Sequence, residues 1–406
     1  MKQLSKIMLA AVASVALAAP AFAWDFGASG SSTASFNSTS TKASKDATNT
    51  IASGGVSSSA SSLKLSSSHT DGPKSLSLSY TLDWDGNLDE TITLSGSSKV
   101  GDWTASGDVS YNRDRPGCYA TDNGTAASTA ATAGCQGQTG EDTTAVTVTD
   151  GTMTIKLGDA SHLSGQNVSS NGAAAGAVSF DSADDDASVG AFVGAFQGVS
   201  LGYKISDTMS ATVAYQASTD TADACGAGEA YDGEGATHGI TATGLGFSGT
   251  FGIASVGFTM CNATTADAGT ASVSPASTST ATSTMGIGVK LDLGDIDPFI
   301  SFGTYSGVGS VSKSGAAYAG NEVGLTYALG NDTVVFYIGS VTEIVTPSGG
   351  VAGEAITKSG MELGYNTMVG PASLKVGYGS QTHAQTGGST DGYSMTDIEV
   401  AMTYGF

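Results

Sequence analysis

Apolar side chains fall on every second residue in one segment after another of this chain. The last segment shows it most fully. Ile398, Val400, Met402, Tyr404 and Phe406 share one face, and Asp397, Glu399, Ala401, Thr403 and Gly405 share the other. Successive side chains of a β-strand point to opposite faces, so this period is that of a strand with one apolar face. The pattern recurs upstream. Leu374, Val376 and Tyr378 alternate with Lys375, Met361, Leu363 and Tyr365 with Glu362, and Val323, Leu325 and Tyr327 with Glu322. Met285, Ile287, Val289 and Leu291 alternate with Lys290, Leu201, Tyr203 and Ile205 with Lys204, and Leu76, Leu78, Tyr80 and Leu82 with serines. Turn signals such as Asp71-Gly72-Pro73, Gly294-Asp295, Gly330-Asn331 and Gly370-Pro371 separate the runs. In the C-terminal half, these short turns alternate with longer Ser/Gly/Thr loops.

One apolar face fits both a soluble sandwich and a membrane barrel. Composition separates them. The 406 residues include 57 Gly, only 13% are charged and 7% aromatic, and Ser, Thr and Ala dominate the rest. There is too little apolar material to fill an inner layer between two sheets. In a transmembrane barrel, lipid covers the apolar face and water the polar one, tight turns lie on one side and loops on the other. In lipid, strands survive only if the sheet closes and leaves no unpaired edge. The expected fold is therefore all-β, a transmembrane antiparallel β-barrel. Counting strand-like runs gives eighteen candidates between residues 25 and 406, two of them at 187–204 and 251–261.

Parity then assigns the lumen. Lys64 lies between Leu63 and Leu65, and Lys156 between Ile155 and Leu157. If those neighbours face lipid, Lys64, Lys156, Lys204, Lys290 and Lys375 face the lumen, with Glu322, Glu362, Asp397 and Glu399. A lysine facing lipid near the midplane would cost about 2–4 kcal/mol.

Residues 1–23 read as a cleaved signal peptide. Lys2 and Lys6 form a basic region, an apolar run too short to span a bilayer follows, and Ala21-Phe22-Ala23 is a small-x-small cleavage site. The mature chain is expected to run as one domain from Trp24 to Phe406. Export suits the four cysteines, which allow three connectivities. Chain proximity favours Cys118–Cys135 and Cys225–Cys261, each clipping an external loop. His69, His162, His238 and His383 are scattered and read as solvated loop or wall residues rather than metal ligands.

The chain carries a net charge of −22, and its only arginines are Arg113 and Arg115. Nucleic acid is a poor partner for such a chain, because phosphate contacts need many Lys and Arg. No Ser-His-Asp or Cys-His set and no phosphate-binding Gly loop is recognisable, so neither an enzyme nor a cofactor is expected. A channel for small solutes and ions remains, and a substrate-selective channel would show the same pattern. A surface adhesin would need a repetitive N-terminal half, which is lacking. Its best support, the Ser/Thr-rich stretch Ser29–Thr50, reads as a first strand and a polar loop.

The terminal Tyr404-Gly405-Phe406, with apolar residues at every second position before it, resembles the C-terminal signature of Gram-negative outer-membrane barrels. Asp150–Asp159, ending in Gly158-Asp159, resembles the strand before the inward-folded constriction loop of alphaproteobacterial general diffusion porins. The resemblance implies sixteen strands, where the residue count yields eighteen. It implies a passive porin in the cell outer membrane, a homotrimer, contact with lipopolysaccharide, and recognition of Tyr404 and Phe406 by the barrel-assembly machinery. It also implies that Asp181, Asp184, Asp185 and Asp186 sit on a constriction loop. The alternative for that acidic cluster is a solvated external loop, the one place where Ca²⁺ would bind. The chain departs from the family in lacking an arginine cluster for the pore wall. Its acidic balance tips the expected ion preference weakly toward cations.

Overall fold

A computed structural model describes residues 25–84, 88–115, 141–160, 162–163, 196–218, 238–267, 279–307, 315–345, 354–385 and 392–406. They form eighteen strands. The first six are β1 (Asp25–Lys42), β2 (Ile51–Asp71), β3 (Lys74–Trp84), β4 (Leu88–Val100), β5 (Trp103–Arg115) and β6 (Glu141–Thr149). Next come β7 (Met153–Ala160), β8 (Phe196–Ser206), β9 (Met209–Ser218), β10 (His238–Phe251), β11 (Ala254–Asp267) and β12 (Ser279–Leu291). The last six are β13 (Ile296–Gly307), β14 (Gly315–Leu329), β15 (Asp332–Val345), β16 (Glu354–Val369), β17 (Ala372–Gln385) and β18 (Ser394–Gly405).

All eighteen belong to one antiparallel sheet in which sequence neighbours pair, and β1 pairs with both β2 and β18. The strand order closes on itself, which makes the fold a closed antiparallel β-barrel and satisfies the edge requirement derived above. The count of sixteen implied by the resemblance is corrected to eighteen. The hairpin that would have had to be discounted, 74–98, is two full strands paired from Lys74↔Ser98 to Trp84↔Leu88. Two strand bounds also move. The run at 187–204 is described as strand only from Phe196, and that at 251–261 becomes Ala254–Asp267, because the turn lies at 252–253.

Short and long connections alternate from β4 to the C-terminus, not only in the C-terminal half, whereas β2 to β5 are joined by three short connections in succession. Five of the short ones are two-residue turns that begin with glycine: Gly72, Gly101, Gly252, Gly330 and Gly370, with φ between +56° and +67°. An L side chain is disfavoured there, whereas glycine enters the left-handed region freely, so these residues fix where each hairpin reverses.

The strands fall into two compact units. The first comprises the chain up to Thr33, Ser58–Asp150 and Tyr404–Phe406. In it the C-terminus meets β1 through a reciprocal pair: Gly30 N–H donates to Phe406 O at 2.7 Å, and Phe406 N–H to Gly30 O at 2.9 Å. The Phe406 ring lies over Gly30, where an added Cβ would come within 2.6 Å of two ring carbons. The second unit comprises Ala34–Ser57 and Gly151–Thr403. There β1 meets β18 through Thr39, whose hydroxyl donates to Asp397 at 2.9 Å.

Large apolar side chains on one face of the sheet are exposed. In the first unit they include Leu76, Leu78, Ile92, Leu94 and Val109. In the second they include Leu201, Val213, Ile287, Phe302, Val323, Ile338, Leu363 and Met402. A folded chain leaves such a band bare of its own atoms only where another apolar medium covers it.

Candidate functional site

The opposite, polar face is the candidate site. In the first unit, cross-strand register brings hydroxyls together. Ser75 and Ser97 are 2.7 Å apart, Thr93 and Ser110 3.0 Å, and Ser31 and Ser62 3.0 Å. Hydroxyls both donate and accept, so a serine-rich face satisfies itself at little cost and still exchanges with water. Ser77, Ser95, Ser106 and Asp108 line a hollow of about 320 Å³ on this face. Lys64 lies on the same face, in register with Thr81 of β3.

In the second unit the polar face is largely buried. Glu322 and Glu362 are each 1% exposed. The Tyr337 hydroxyl donates to Glu362 Oε2. Lys290 pairs with Asp297 at 3.2 Å, and Lys204 with Asp207 at 2.7 Å in the β8–β9 turn. That contact holds the Asp207 carboxyl below the usual carboxylate range, first through the hydrogen bond and then through the ammonium charge. Lys375 is in register with Asn366, on the face that carries Glu362. Asp397 and Glu399 share the face of buried Ala401.

The five lysines and four carboxylates of the sequence reading thus all lie on the face opposite the exposed apolar band. Asp181, Asp184, Asp185 and Asp186 lie outside the described residues, as do Cys118, Cys135, Cys225 and residues 1–24. Cys261 is described. It is disulfide-bonded and fully buried in mid-strand, in register with Gly244 and Thr284. Its partner lies outside the described residues.

Parity alone did not reveal several residues. Phe299 and Tyr337 are aromatic yet lie on the polar face, clustered with Val335. His162 is corrected from solvated to buried. Its Nδ1 is 2.8 Å from Ser200 Oγ, and its Nε2 is 3.1 Å from Gly158 O, which fixes the proton on Nε2. Leu163, 1% exposed, extends over Gly244. The start of the connection after β7 therefore lies against the polar face. The signal that could have flagged it is the Gly158-Asp159 passage already singled out.

No protein-family model matches the chain, and no curated protein matches it in sequence. Solved structures do resemble it. The outer-membrane channel DcaP of Acinetobacter baumannii has a TM-score of 0.53 at 14% identity, covering 94% of this chain and 97% of that one. OpdQ of Pseudomonas aeruginosa has a TM-score of 0.53 at 10% identity, covering 94% and 98%. OpdL of the same organism has 0.51 at 11% identity, covering 94% and 99%. At these identities the likeness defines the fold, that of outer-membrane channel barrels. With its exposed apolar band and closed strand order, the chain is a multi-pass β-barrel of the outer membrane.

Proposed function

We propose that the protein is a porin, a water-filled channel through which small hydrophilic solutes and ions diffuse passively. The observation that carries this reading is the segregation of the two faces. Every charged side chain assigned to the wall by parity lies opposite an apolar band that only lipid would cover. Barrels of about sixteen strands or more leave an aqueous channel.

His162 and Leu163 on the polar face support an inward course for the connection between β7 and β8. In this reading Asp181, Asp184, Asp185 and Asp186 belong to the constriction and face lysines of the wall. The resulting transverse field orders water and disfavours apolar solutes. Charges within about 8 Å of the constriction set selectivity at physiological salt, so the expected preference is weakly cationic. The assembly is a homotrimer. Residues 1–23 are removed on export, and Cys118–Cys135 and Cys225–Cys261 are the disulfides.

The test is the reversal potential across a planar bilayer in a KCl gradient. Wild type is expected to conduct with a weak cation preference, and Asp184→Asn/Asp185→Asn/Asp186→Asn to lower that preference. A protein that inserts but does not conduct refutes the porin. An unchanged reversal potential in the triple variant places the acidic cluster outside the pore.

A further inference from the structure

We propose that the hollow on the polar face of β7–β10 is a weak binding station for phosphate-bearing solutes. The proposal rests on the reading that this face lines the channel. The hollow measures about 790 Å³, within the usual size of small-molecule sites. Cross-strand register builds it row by row. The upper row runs Lys156, Ser200, Ala214, Gly244, and the middle row Thr154, Gly202, Thr212, Gly246. The lower row holds Lys204, Ser210 and Ser248.

Two features make this a depression rather than a flat wall. Gly202 and Gly246 carry no side chain in the middle row, so the floor drops there. A Cβ on Gly202 would stand 3.4 Å from Thr212 Oγ1 and 3.6 Å from Thr154 Cβ, occupying that floor. Above it, the upper edge is buttressed by His162, held between Ser200 and Gly158.

The chemistry around the floor is one-sided. Lys156 and Lys204 lie at its two ends, separated by the four residues from Ser200 to Lys204, about 13 Å along a strand. Each side chain reaches several ångströms, so both ammonium groups can approach one ligand held between them. Asp207 is the sole carboxylate among the described lining residues, and it is tied to Lys204 at 2.7 Å. Lys156 has no ion-pair partner among the described residues. The described lining is thus locally cationic in a chain of net charge −22.

Hydroxyls of Thr154, Thr212, Ser210 and Ser248 project from three different strands. Such a spread matches the outward-pointing acceptor oxygens of a tetrahedral dianion better than the two coplanar oxygens of a carboxylate. Lysine contributes as a point charge rather than a bidentate fork. Affinity stays low because Asp207 competes for Lys204. A channel station must be weak, since conduction requires release as well as entry.

The test uses inorganic phosphate on single channels in a planar bilayer, at constant chloride and constant ionic strength. Wild type is expected to show a saturable reduction of chloride current by millimolar phosphate. Lys156→Gln should raise the half-blocking concentration at least tenfold. Gly202→Ala, which leaves charge unchanged but fills the floor, should raise it several-fold. Lys42→Gln, at the far end of β1, should leave it unchanged. Absence of saturable block in conducting wild-type channels overturns the station. So does an unaltered block in Lys156→Gln, and so does equal block by succinate, a dianion without tetrahedral oxygens. If the protein does not conduct, the porin reading fails. Equilibrium dialysis of phosphate against the detergent-solubilised protein then decides the site alone. Saturable binding weakened in Lys156→Gln supports it, and no binding refutes it.

Discussion

The same substitution should have opposite effects at two glycines of this barrel. Gly324 lies on the polar face of β14, in register with Phe299 on one side and Tyr337 on the other. Both neighbours are buried large side chains. A Cβ on Gly324 would stand 2.6 Å from Phe299 Cζ and from Tyr337 Cβ, and it would strike the Phe336 carbonyl. The ring can tilt away, but the carbonyl belongs to the paired backbone of β15 and cannot yield without disturbing the ladder. Overpacking of this kind costs about 1–3 kcal/mol. Gly96 lies on the apolar face of β4, and a Cβ there would meet Ser75 O at 3.6 Å and Leu76 Cδ1 at 3.8 Å, ordinary contacts. At such a site alanine stabilises by about 0.4–1 kcal/mol, chiefly by restricting the unfolded chain. The two variants should therefore differ by about 1.4–4 kcal/mol, roughly tenfold or more in the unfolding equilibrium. Urea titration of the protein folded into lipid vesicles, read by tryptophan fluorescence and by heat-modified gel mobility, measures both. In a double-mutant cycle, Gly324→Ala should cost less in a Phe299→Ala background than in wild type, though still something because the Phe336 carbonyl remains in the way. If Gly324→Ala unfolds at the same urea concentration as Gly96→Ala or higher, the packing argument is wrong.

Deleting Phe406 should impair assembly far more than deleting a residue of a long connection, since it removes both hydrogen bonds to Gly30 and the ring lying on it. Equal yields of heat-modifiable barrel from the two deletions would count against this. Lys204→Ala should raise the Asp207 pKa toward the ordinary carboxylate range, measured by ¹³C NMR of the side chain. Because Lys204 depresses that pKa, the contact favours the folded turn above the carboxylate range and loses its effect as pH falls through the lowered value. Mass spectrometry of unreduced protein should find Cys261 in a disulfide-linked peptide with Cys225, and a free thiol at Cys261 would be inconsistent with the wall bridge.

Strand periods were legible wherever lipid demands an apolar side chain at every second position. Ile398 to Phe406, Leu374 to Tyr378 and Met285 to Leu291 could be read directly, and parity then placed Lys290, Lys375 and Glu362. The hairpin reversals were legible at Gly72, Gly330 and Gly370 because the left-handed turn demands glycine. Sixteen strands came from the resemblance, whereas the residues themselves held eighteen runs. The β10–β11 boundary slipped because Phe251 and Ile253 flank Gly252, so hydrophobicity runs across the turn. His162 was read as solvated because a lone histidine beyond a strand carries no periodic signal. Phe299 also escaped the parity rule. Pro298-Phe299-Ile300 is apolar at three successive positions, and only pairing with β14 shows which of them shares the face of Glu322.

Pairing also explains what the glycines on the polar face do, which no single strand reveals. One cross-strand row of β13–β17 reads Phe299, Gly324, Tyr337, Glu362, Gly379. Large side chains alternate with glycine or with the group they bond. Phe299 and Tyr337 both lie against Gly324, and the Tyr337 hydroxyl donates to Glu362. Glu322 is likewise paired with Gly339, as Leu163 is laid on Gly244 and Phe406 on Gly30. Small and large residues must alternate around a barrel wall if side chains are to lie flat along it. At Gly324, Gly244 and Gly30 the missing Cβ leaves the place where a neighbouring side chain rests. Strand parity selects the face of a residue, and at these three places the glycine selects where its neighbour's side chain lies along the wall.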